Sequence, residues 1–116
     1  MIKVEIELNE NKIRQENIYV PESIMKTLDN AFVSKNQKIL EADRFRRVYR
    51  DSGNPEKDFG ILGGLVIGLA KTEWFGDNVS KIIWYNSENG ESEEDFHKED
   101  FLSTLRTRRV GVFANE

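Results

Sequence analysis

Residues 2–8, IKVEIEL, alternate without a fault. Ile2, Val4, Ile6 and Leu8 fall on one side, and Lys3, Glu5 and Glu7 on the other. A period of two specifies a strand with one apolar and one solvated face. Such a strand belongs in a sheet that needs covering on its apolar side only. The remaining residues have to supply both that sheet and that cover.

Val79 to Tyr85 (VSKIIWY) reads as a second strong strand. Ile13 to Val20 reads as a weaker one, with Ile18 and Val20 on one face and Tyr19 on the other, joined to the first strand by a turn at Asn9-Glu10-Asn11. Pro21 suits the first turn of a helix, and Ile24, Leu28 and Phe32 then recur every fourth residue as one buried stripe. Over residues 37–50, Ile39, Ala42, Phe45, Val48 and Tyr49 fit helical spacing, so a second helix is expected there, although Phe45 to Arg50 alone also suits a strand. Asp51 to Phe59 is rich in turn formers and reads as a loop. Ile61 to Ala70 (ILGGLVIGLA) is apolar all round, and its three glycines disfavour a helix. It is expected to be a central strand paired with residues 79–85 across a turn at Gly76-Asp77-Asn78. A last helix is expected to start at Phe96 or Asp100 and to bury Phe101, Leu102 and Leu105, followed by a short edge strand at Val110, Val112 and Phe113. The reading is one α+β domain over residues 1–116, an antiparallel sheet of about four to five strands with two or three helices packed on one face.

The chemistry is sparse. With no cysteine in 116 residues, disulfides, zinc–thiolate sites, iron–sulfur clusters and cysteine nucleophiles are excluded. His97 is the one histidine, and no Gly-x-Ser-x-Gly elbow, phosphate-binding loop or calcium loop accompanies it. No catalytic residue, cofactor or metal site is expected. The opening MIKVEIELNE lacks the basic-then-apolar layout of a signal peptide, and the longest apolar run is about half a bilayer span, so a soluble, cytoplasmic protein without membrane contact is expected. The net charge of −4 argues against direct nucleic-acid binding. The negative charge is local: Glu88 to Asp100 holds seven acids and one lysine, a net of −6, and the rest of the chain carries +2. Arginines gather instead at Arg44, Arg46, Arg47 and Arg50 and at Arg106, Arg108 and Arg109. An acidic stretch beside an aromatic strand suits docking of a basic protein, because complementary charge speeds encounter and aromatic side chains anchor it.

In general character the chain resembles bacterial immunity proteins, which neutralise toxic nuclease domains. The features that carry this are the small size, the lack of cysteine and of a catalytic set, and the stretch NGESEEDFHKED beside the strand KIIWY. The resemblance implies a stoichiometric complex that covers the active site of a basic nuclease toxin. The residues expected to bind it are Trp84, Tyr85, Glu91, Glu93, Glu94, Asp95 and Asp100. Two other readings are a small nuclease or other hydrolase drawing on Arg46, Arg50, Tyr49 and His97, and a structural or phage-type accessory subunit that self-associates.

Overall fold

The computed structural model describes residues 1–87, 94 and 96–115. Five strands form one antiparallel sheet in the order β2-β3-β1-β4-β5: β1 (Ile2–Leu8), β2 (Lys38–Asp43), β3 (Arg46–Arg50), β4 (Val79–Asn86) and β5 (His97–Asp100). The helices are α1 (Glu10–Glu16), α2 (Pro21–Val33), α3 (Pro55–Ala70), α4 (Glu73–Gly76) and α5 (Phe101–Thr107), and a 3-10 turn follows at Gly111–Asn115. The α+β class is therefore as expected, with more helices than the two or three foreseen.

The alternation in β1 sets the layers. Ile2, Val4, Ile6 and Leu8 share one core with Ile24, Leu28 and Phe32 of α2, Leu62, Val66 and Leu69 of α3, and Leu102 and Leu105 of α5. Cross-strand register places Tyr49, Ile82 and Trp84 on the same side. Lys3, Glu5 and Glu7 face away, with Val48 and Arg46 of β3 and Tyr85 of β4. No helix of the described residues is long and apolar enough to cross a membrane.

Four sequence expectations are corrected. Residues 61–70 are the body of a helix, not a strand: Asn54 caps its start, Pro55 follows, and Leu62, Val66, Leu69 and Ala70 recur on its buried side. Gly60, Gly64 and Gly68 lie on the exposed side, where glycine stands in for the polar residues that normally mark a solvated face. The expected central hairpin with residues 79–85 is thereby replaced by β1–β4 pairing. Residues 37–50 are a hairpin, not a helix: Asp43 pairs with Arg46, so Arg44 and Phe45 alone make the turn, Arg44 in the left-handed region at φ 53°. Residues 10–16 are helical because the Asn9 side chain accepts from Lys12 N (3.1 Å) and Asn17 (φ 53°) closes the other end. Residues 111–115 form the 3-10 turn in place of an edge strand.

Candidate functional site

Of the expected partner-binding residues, Glu91, Glu93 and Asp95 lie outside the described residues, while Glu94 and Asp100 are exposed. Asp100 also has a structural task, capping α5 by accepting from Ser103 N (3.1 Å). Trp84 is buried on the helix side, edge-on to Phe59 (5.5 Å) and tilted against Phe101 (5.8 Å). It is a core side chain, and burial removes it from any docking surface. Tyr85 takes the opposite face, where its hydroxyl donates to Glu5 (2.9 Å).

Glu5 is the centre of that open face. It is only 7% exposed although no helix covers it. Its carboxylate accepts from Arg46 Nε at 2.5 Å and from Tyr85. Burial alone pushes its pKa up, but the Arg46 and Tyr85 hydrogen bonds, with the charges of Arg46 and Lys81, hold it below the usual carboxylate range. Around it, Lys3 sits over the rings of Phe96 (4.4 Å) and Tyr85 (5.1 Å), and Lys98 over Tyr85 (5.6 Å). These groups are committed to one another and hold the outer side of the sheet together.

The residues of the hydrolase reading do not converge. Tyr49 points to the helix side, stacked on Phe32 (3.9 Å), with its hydroxyl donating to Asp29 (2.6 Å); burial first, and then that carboxylate, raise its pKa. Arg46 is locked to Glu5 on the opposite face. Arg50 leans on Asp51, and His97 lies on the far strand β5.

A different surface stands out. Ile18 and Val20 are 67% and 61% exposed, the two most exposed large apolar side chains among the described residues. They sit on the connector between α1 and α2, where Asn17 ends one helix and Pro21 begins the next. Proline holds the preceding residue extended, so Val20 is fixed at φ −74° and ψ 120°. Tyr19 turns inward between them and packs on the core, as does Trp74 of α4. Tyr19 thereby forms the wall between two depressions. One, of about 180 Å³, is lined by Val20, Ile24 and Trp74. The other, of about 210 Å³, is lined by Ile18, Glu16, Glu73 and Asp77. Glu22 adds a further exposed acid beside Pro21. Lys12 lies 3.6 Å from Glu16 and donates to the Asp77 carbonyl, while Arg14 and Lys26 stand on the Pro21–Glu22 side.

Val20 also breaks a local rule. It is the N-cap of α2 and gives no side-chain hydrogen bond, at a position where serine, threonine, aspartate or asparagine is preferred. A β-branched apolar residue, exposed and capping nothing, costs α2 stability in the isolated chain. Such departures concentrate where function sets the residue.

Comparison with protein families, with curated proteins and with solved structures finds no match to this chain.

Proposed function

We propose that this protein acts by binding a basic protein, as a stoichiometric inhibitor of the immunity type, with a nuclease toxin domain as the partner. The observation that carries the reading is the Ile18–Val20 patch, exposed and backed by Tyr19 and Trp74, with acids at Glu16, Glu73 and Asp77 beside Ile18. Apolar anchors inside an acidic rim match a cationic surface: the rim steers the encounter and the anchors hold the complex. The exposed Glu94 and Asp100 add to the negative field. The cytoplasm is the compartment proposed for this activity.

Val20→Asp tests the proposal with a built-in control. It supplies the missing N-cap, so α2 and the fold gain about 1 kcal/mol. It also puts a charge into the apolar anchor. The partner recovered by pull-down is purified and titrated against both proteins by calorimetry. One-to-one binding by the wild type, weakened at least tenfold in the more stable variant, supports the reading. Equal binding by the two would refute it.

A further inference from the structure

All six residues of β2 (KILEAD) are exposed, and the strand is paired on one side only, to β3. Its outer edge therefore presents unpaired backbone donors and acceptors, a template for another strand. Exposed apolar side chains gather there: Ile39 and Leu40 in the strand, and Val33 at the end of α2, which packs beside it. At its two ends stand Lys38 and Asp43, and neither has an ion-pair partner among the described residues.

The register explains what fits. In a regular strand, Lys38 and Asp43, five positions apart, would point to opposite faces. Here the pairing with β3 shifts between Ile39 and Glu41, leaving Leu40 as an extra residue. The bulge restores a common face: Lys38 pairs with Arg50 and Asp43 with Arg46, and both point to the open side of the sheet. Ile39 and Ala42, opposite Tyr49 and Arg47, share the helix side. The strand is thus self-complementary under a two-fold axis perpendicular to the sheet. Lys38 of each copy meets Asp43 of the other, and Ile39 meets Ala42. We propose that the β2 edge takes a second copy of this chain, joining two sheets into one of ten strands with both helical layers on the same side. The inference is independent of the docking patch at Ile18 and Val20.

The test is sedimentation equilibrium across a concentration series, with a charge-reversal set. The wild type is expected to dimerise with rising concentration. Lys38→Glu and Asp43→Lys each place like charges opposite one another twice per dimer, and each is expected to raise the dissociation constant roughly tenfold. The double variant Lys38→Glu/Asp43→Lys restores opposite charges and is expected to recover wild-type dimerisation, while Val20→Asp leaves it unchanged. A monomer at every concentration overturns the proposal and leaves the edge to a strand of another protein. A dimer indifferent to both single reversals overturns it as well, because the interface then lies elsewhere.

Discussion

The central strand β1 is buried on both sides, by two different means. Toward the helices, Val4 and Ile6 are fully covered by an added layer of α2, α3 and α5. Toward the open side, Glu5 is covered by nothing but its neighbours on the sheet: Arg46 from one side and Tyr85 from the other. The first kind of burial is non-directional and spread over many contacts. The second rests on a few charge-assisted hydrogen bonds, and each depends on the geometry and protonation of its partners. One face is therefore expected to tolerate small changes and to fail only when volume is lost, whereas the other is sensitive to single atoms and to pH.

The largest effect expected from breaking this contrast is on the helix side. Phe32→Ala removes the ring stacked on Tyr49 and should cost about 3–5 kcal/mol in urea unfolding. A loss below about 1 kcal/mol would mean that α2 does not anchor the sheet. On the open face, Glu5→Ala removes the buried carboxylate to which Arg46 Nε and the Tyr85 hydroxyl donate and should cost about 1–3 kcal/mol. The Tyr85→Phe change alone should cost less, and a double-mutant cycle between the two positions should show coupling. The pH dependence sharpens the contrast further. Because the pKa of folded Glu5 lies below its ordinary value of 4.5, its contribution is complete above that value and fades as pH falls through the lower folded value. Wild type should lose more stability than Glu5→Gln between about pH 5 and pH 3, and parallel curves would show that Glu5 does not carry the effect. The smallest effect belongs to a surface that neither face uses. Gly64 is exposed on α3, and a methyl group there would meet nothing within 4 Å. Gly64→Ala should therefore raise stability by about 0.5–1 kcal/mol, seen as a higher midpoint in thermal unfolding.

The elements legible in the sequence are those whose apolar residues keep a period or form a run rich in strand formers. β1 alternates, β4 holds the apolar run Ile82-Ile83-Trp84-Tyr85, and α2 and α5 carry stripes every three or four residues. α3 was hidden because Gly60, Gly64 and Gly68 occupy the positions where polar residues would have shown a period of 3.6. The β2–β3 hairpin was hidden because its turn, Arg44-Phe45, has neither glycine nor asparagine, and because Phe45, Val48 and Tyr49 also fit helical spacing. α1 buries only Ile13, too little to establish any period. At the site, the sequence shows that Trp84 and Tyr85 face opposite ways, but the face that helices cover depends on α3, which read as a strand. Ile18 and Val20 read as one face of a weak strand over Ile13 to Val20, opposite Tyr19. The available signal was Val20 in front of Pro21, a helix start without a capping side chain.

The bulge at Leu40 makes one position in β2 matter by its presence and not by its chemistry. Leu40 is exposed, and β3 has no residue to set against it, so most substitutions there should leave the fold of a single chain unchanged. Deleting it is a different event. The strand would become regular, and Lys38 would either turn beneath the sheet toward α2 or drag the preceding segment one position out of step. The same site is thus permissive to replacement and intolerant of a change in length, and a library that mixes substitutions with single-residue deletions should separate the two at this residue before any other in the strand.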